Sequence, residues 1–146
     1  MGFGMDVTFE SQLELLLVHC QGEIGKVVIA GAPDIPGATI LDKMRHINEI
    51  DDRLRRFLTF EPRAHVAQSV NLLLPPTRPD ADAAFIVLQA DRAHAMSGSN
   101  AICVTTVLLE TGMVTMVEQI DRALSNPVWQ QVRLPAPWDT AATAPL

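Results

Sequence analysis

Met96-Ser97-Gly98-Ser99-Asn100 runs directly into Ala101-Ile102-Cys103-Val104-Thr105-Thr106-Val107-Leu108-Leu109-Glu110-Thr111-Gly112. If the apolar stretch is a helix, its first turn presents unpaired backbone amides and the positive end of a helix dipole. That is an anion site. A carboxylate held there would have its α-carbon close to the Ser97 hydroxyl, an arrangement that suits proton transfer at a carbon next to a carboxylate. Most Gly- and Ser-rich turns before helices are only caps, so spacing alone does not single out the catalytic reading.

The elements around this turn follow from periodicity. Ser99 or Asn100 can cap the helix, and Gly112 can supply the left-handed residue that ends it. Between them nearly every side chain is apolar or small, so the helix should be enclosed by sheet on several sides. The β-branched residues from Ile102 to Val107 also permit a strand. Upstream, the apolar runs 12–19 and 26–30 read as two strands, with a turn over 21–25 carrying two glycines. Residues 32–37 are a loop of turn formers. From Thr39, a plausible N-cap, apolar residues Ile40, Met44, Ile47, Ile50, Leu54 and Phe57 recur every three or four positions, which predicts one amphipathic helix closed before Pro62. Runs 70–74 and 83–88 are strands around the proline-rich loop 75–80.

At 146 residues, 48% hydrophobic and 19% charged, the chain suits one globular domain that buries roughly 70% of its unfolded surface. No apolar run approaches the ~18 residues of a membrane span. The first residues lack a basic segment and are followed by Glu10 and Glu14, which argues against a secretory signal and points to the cytoplasm. A net charge of -6 opposes nucleic-acid binding and favours a small-molecule partner. Cys20 and Cys103 are read as reduced thiols.

Six motifs occur in order: His19-Cys20-Gln21-Gly22-Glu23, Pro36-Gly37-Ala38-Thr39, Leu54-Arg55-Arg56-Phe57-Leu58, Glu61-Pro62-Arg63-Ala64-His65, Pro79-Asp80-Ala81-Asp82-Ala83 and Met96-Ser97-Gly98-Ser99-Asn100. Together they resemble the successive motifs of the proline racemase family, which includes hydroxyproline 2-epimerases and trans-3-hydroxyproline dehydratases. The resemblance implies an α/β (α+β), diaminopimelate epimerase-like fold of two similar halves. Each half has sheet wrapped around a central buried helix, and an imino acid substrate lies between the halves. It also implies a cofactor-free, metal-free reaction at the α-carbon of proline or a hydroxyproline, with one acid-base residue from each half.

The first of that pair is usually the cysteine of a Met-Cys-Gly-His turn, and the matching residue here is Ser97. A hydroxyl is a far weaker acid than a thiol, so Ser97 must act while hydrogen-bonded to a base or serve mainly as a proton donor to a carbanion. Serine here is similar to a subgroup of the family. Gly98 and Ser99 keep the amides that, by resemblance, hold the substrate carboxylate, with Asn100 a weaker candidate.

The resemblance runs from about His19 to about Glu118, within an N-terminal half read as residues 1–118. Residues 119–146, with both tryptophans and four of the ten prolines, read as a divergent tail from a truncated or frameshifted gene. Two function classes follow: part of an epimerase, racemase or dehydratase, inactive alone, or a catalytically dead remnant or non-enzymatic α/β module. An apolar cut surface predicts self-association, which leaves a homo-oligomer open. His19 with Glu23, Arg63 with His65 and Asp80 with Asp82 all favour structural roles over chemical ones, and Cys103 reads as a small buried hydrophobe.

Overall fold

The computed structural model describes residues 12–115 and 131–132. In chain order these residues form β1 (Glu14–Leu16), β2 (His19–Cys20), β3 (Glu23–Ala30), α1 (Ile40–Glu49), α2 (Arg53–Thr59), β4 (Ser69–Leu74), β5 (Ala83–Leu88), β6 (Ala93–His94), α3 (Gly98–Glu110) and β7 (Gln131–Val132). One sheet runs β1-β3-β4-β5-β6, with β2 also pairing β3 and β7 pairing β5. Among the described residues only β3 and β4 are parallel. A parallel pair needs a crossover, and α1 and α2 supply it.

Two buried clusters show the layering. Val28, Val70, Leu72, Ala84, Ile86 and Leu88 pack with Ile40, Ile47 and Leu58 of α1 and α2. Val27, Phe85 and Val87 pack with Val104, Val107 and Leu108 of α3. The sheet is thus covered by helices on both faces. This is why β5 is apolar at every position instead of alternating.

The first predicted strand is two. Residues 12–19 divide into β1 and β2, both antiparallel to β3, with a register shift between Glu14 and Leu15. The turn is also shorter than predicted. Gln21 at φ 50° and Gly22 at φ 89° are its two central residues, the left-handed pair a type I′ hairpin requires. Gly25 therefore belongs to β3 and not to the turn.

The predicted helix from Thr39 to Phe57 breaks at residues 50–52. Its start matches: the Thr39 hydroxyl accepts from the Asp42 amide at 3.1 Å while the Asp42 carboxylate accepts from the Thr39 amide at 3.2 Å. The break comes from two adjacent aspartates, whose short side chains compete for local groups. Asp51 accepts from the Arg53 amide at 3.1 Å and from its guanidinium, and the Asp52 carbonyl starts α2 by accepting from Arg56 at 2.9 Å. Ile50, which the helical spacing put on the buried stripe, is instead 76% exposed.

α3 forms and ends as predicted at its C-terminus. Gly112 has φ 71° and returns its amide to the Leu109 carbonyl at 3.1 Å, the left-handed ending only glycine adopts freely. Its start and its surroundings differ from expectation. Ser97, not Ser99 or Asn100, is the N-cap, because its extended backbone places its hydroxyl over the third helical amide. Among the described residues the sheet covers one face of α3. Asn100, Cys103, Val104, Val107 and Leu108 form a buried stripe at helical spacing, whereas Ile102 is 42% exposed. The wrapped, fully enclosed helix is therefore not found in these residues. The side chains are mostly apolar or small all round, but among the described residues only one face has a sheet against it. The boundary at Glu118 and most of the tail lie outside the described residues; β7 joins the sheet through Ala83 and Ala84.

Candidate functional site

β5, β6 and α1 deliver the chain to Ser97. The Asn48 side chain donates to the Ala93 carbonyl at 3.0 Å and accepts from the Ala93 amide at 2.8 Å, pinning β6 to α1. Four residues later Ser97 adopts φ -154°, ψ 128° and turns the chain into α3. The Ser97 carbonyl accepts the first helical hydrogen bond, from Ala101, at 2.9 Å. The amides of Gly98 and Ser99, in the first turn, have no intrahelical acceptor. A side chain added at Gly98 would meet nothing within 4 Å, so this end of the helix is open to an approaching anion.

The Ser97 hydroxyl oxygen meets two donors of Asn100 and a second hydroxyl that can donate or accept. It accepts from the Asn100 side-chain nitrogen at 2.9 Å and from the Asn100 amide at 3.5 Å, and it lies 3.2 Å from the Ser99 hydroxyl. Asn100, 1% exposed, directs its side chain inward. Its Oδ1 accepts from Asn71 Nδ2 of β4 at 2.8 Å. Asn71 is fully buried and also donates to the Lys26 carbonyl of β3 at 3.3 Å. Room for the two amides comes from Gly25, where a Cβ would stand 2.8 Å from Asn100 Oδ1, 3.1 Å from Asn71 Nδ2 and 3.0 Å from Cys103 Sγ.

The sequence-predicted site residues thus converge on one helix end. Ser97 and Ser99 are half-buried, Gly98 is exposed, and the Asn100 side chain faces the interior. Sequence reasoning passed over Asn71 and Gly25. The signal for Asn71 was present, since a lone amide inside the apolar run Val70 to Leu74 needs a buried partner.

The other chemistry-bearing residues have local roles. His19 Nδ1 accepts from the Gly22 amide at 3.1 Å within the hairpin. Arg63 stacks 3.9 Å over the Phe57 ring, and its carbonyl accepts from Lys26 Nζ at 2.7 Å. His65 Nδ1 accepts from the Ala67 amide at 3.2 Å, and Asp80 pairs with Arg78 across two residues of loop. Cys103 is buried. Burial pushes its thiol pKa up, with smaller contributions from Cys20 and Glu23. Among the described residues no group of three or more His, Cys, Asp or Glu is placed to hold a metal ion, and no helix is long and apolar enough to cross a membrane. A groove of about 1300 Å³ lies elsewhere, between β1 and the α1–α2 side, lined by residues such as Leu13, Leu54 and Phe57 and taking in neither Ser97 nor Asn100.

Known proteins match most of the chain. The proline racemase family model matches residues 15–130. A 4-hydroxyproline 2-epimerase of Agrobacterium fabrum is 59% identical over 108 residues, which is 73% of this chain and 31% of that protein. A Rhizobium etli protein of the same name is also 59% identical over 108 residues. A crystal structure of a hydroxyproline epimerase from Agrobacterium vitis, with bound trans-4-hydroxy-L-proline, superposes with a TM-score of 0.70 at 57% identity, covering 73% of this chain and 32% of that one. A probable proline racemase from Agrobacterium radiobacter K84, with bound carbonate, gives a TM-score of 0.71 at 58% identity over the same shares. The chain spans about a third of the length of the relatives it matches.

Proposed function

The chain belongs to the proline racemase family, and from that premise we propose that it supplies one side of the active site of a 4-hydroxyproline 2-epimerase. The observation that carries this is the cap of α3, a hydroxyl whose oxygen is held by donors beside two helix-end amides without intrahelical acceptors. The names of the relatives and the hydroxyproline bound in one of them support the choice of substrate.

The reaction follows from these groups. The substrate carboxylate docks on the Gly98 and Ser99 amides, where the helix dipole favours negative charge. Removing the α-proton from the opposite face leaves an electron pair that delocalises into the carboxylate, where the same amides stabilise the added charge. Ser97 then gives its hydroxyl proton to the near face. The O–H bond breaks, a C–H bond forms, and the O–H electron pair stays on Oγ, facing the Asn100 N–H. Solvent then returns a proton to Oγ and takes the one held on the opposite face, which restores both groups. By resemblance, the residue on the opposite face belongs to a second half, so the 146 residues alone lack a complete two-sided site. Proton transfer here needs no metal or organic cofactor, and the partner is a small imino acid.

An NMR titration with trans-4-hydroxy-L-proline tests the docking step. The Gly98 and Ser99 amide resonances should move, and the methyl ester, which lacks the carboxylate charge, should leave them in place. Shifts confined to the groove around Phe57 would contradict the assignment.

A further inference from the structure

We propose that Asn71, acting through Asn100, fixes the polarity of the Ser97 hydroxyl, committing its oxygen to accept and leaving its proton to be given to substrate. The inference deepens the epimerase reading and rests on it for the proton's destination.

The relay starts at a backbone carbonyl. Asn71 lies within hydrogen-bond reach of the Lys26 oxygen at 3.3 Å, and a carbonyl can only accept. The Asn71 atom facing it must therefore be nitrogen. The second hydrogen of that nitrogen points to Asn100 at 2.8 Å, so the Asn100 atom there must be Oδ1. The remaining end of Asn100 is then the amide nitrogen, and it faces Ser97 Oγ at 2.9 Å. Each amide orientation is dictated by the one before it, from β3 to the helix cap.

The orientation is held despite a cost. Asn71 Oδ1 is buried and has no hydrogen-bond partner among the described residues, a deficit that a flip of Asn71 would move but not remove. A flip would set Oδ1 against the Lys26 carbonyl and Nδ2 out of reach of it. It would also reverse Asn100, whose Oδ1 would then take the Ser97 proton. A hydroxyl already donating to a buried amide must break that bond before it can protonate carbon. In this polarity the proton is directed away from Asn100, toward substrate or the Ser99 hydroxyl 3.2 Å away, and the oxygen that gains charge as the proton leaves already faces an N–H donor. Asn71 is a positioning residue, since it acts on Ser97 only through Asn100, whose side chain touches Oγ itself.

The test uses the 146-residue chain labelled with ¹⁵N-asparagine. Ser97→Ala should move the Asn100 side-chain NH₂ resonances. In an Asn71→Asp background, where a carboxylate replaces the donor, the Asn100 NH₂ should turn to Asp and Ser97→Ala should no longer move it. Asn71→Ala, which removes the donor without adding charge, should diminish the response and serves if Asn71→Asp fails to fold. An Asn100 signal that ignores Ser97→Ala in the wild-type background, or responds equally in every background, would overturn the relay. These outcomes are independent of turnover. If Ser97→Ala, in a chain joined to an intact C-terminal half from a relative, left epimerisation intact, the epimerase reading would fail even with the relay present; if the resonances were silent, the relay would fail even with Ser97 essential.

Discussion

Replacing Gly25 by alanine probes the packing that the proposed relay requires. Gly25 has a φ outside the left-handed region, so its backbone accepts a side chain, and only the surroundings oppose one. The new Cβ would lie 2.8 Å from Asn100 Oδ1 and 3.0 Å from Cys103 Sγ, closer than nonbonded carbon tolerates. Relief requires Asn100 to move off Asn71, in a site where both are buried. Overpacking a core costs about 1–3 kcal/mol, and a buried polar group left without its partner costs a further ~1–3 kcal/mol. Against this, alanine in a strand gains roughly 0.5–1 kcal/mol over glycine. A net loss of about 2–4 kcal/mol should appear as a lower urea midpoint at unchanged slope, and as a Tm fall on the order of 10 °C for a chain of this size. Gly98→Ala is the control, because its Cβ meets nothing within 4 Å, and it should change stability by less than about 0.5 kcal/mol. A Gly25→Ala chain as stable as wild type would refute the close packing of Gly25 against the two amides.

Three further outcomes follow. The Asp42 carboxyl is held below its ordinary value, first by the Thr39 hydroxyl and then by the Thr39 amide; a carboxyl depressed on folding stabilises above its unfolded pKa near 3.9 and loses that contribution as pH falls through the lower folded value. The stability gap between wild type and Asp42→Asn, read from urea midpoints, should therefore be flat above about pH 5 and close at lower pH, and a gap that widened on acidification would have the wrong sign. Cys103, buried with its thiol pKa raised, should react with a disulfide reagent only on unfolding, whereas the half-buried Cys20 reacts in the native state; equal native rates would contradict this. The 146-residue chain by itself should show negligible epimerisation of trans-4-hydroxy-L-proline by chiral chromatography, and normal turnover would show that no second half is needed.

Much of the fold was legible because burial leaves periodic marks. The apolar run at Ala83 to Leu88 read as a strand, and it is one covered on both faces. The approach to α3 read as a cap because Ser and Gly have few other reasons to precede an apolar helix, and Gly112 ends it in the left-handed region. What failed depends on competition that periodicity does not record. The three-four spacing ran through Ile50 into α2, yet two aspartates captured local donors and broke the helix. Gly25 read as a turn residue because glycine's commonest use is conformational; here its use is the space it leaves beside Asn100. The inward course of the Asn100 side chain, which bonds Asn71 and Ser97, was not read from the sequence. It depends on which way a helix face turns, and so on a strand 29 residues away.

The central claim is that the hydroxyl capping α3 protonates the substrate α-carbon. The most direct measurement is solvent-deuterium incorporation at the α-carbon of 4-hydroxyproline, comparing wild type with Ser97→Ala in a chain joined to an intact C-terminal half from a relative. The account predicts that Ser97→Ala lowers the rate of incorporation through the Ser97 face by at least about a hundredfold, the scale of one positioned proton donor. Incorporation at the wild-type rate in Ser97→Ala would contradict it.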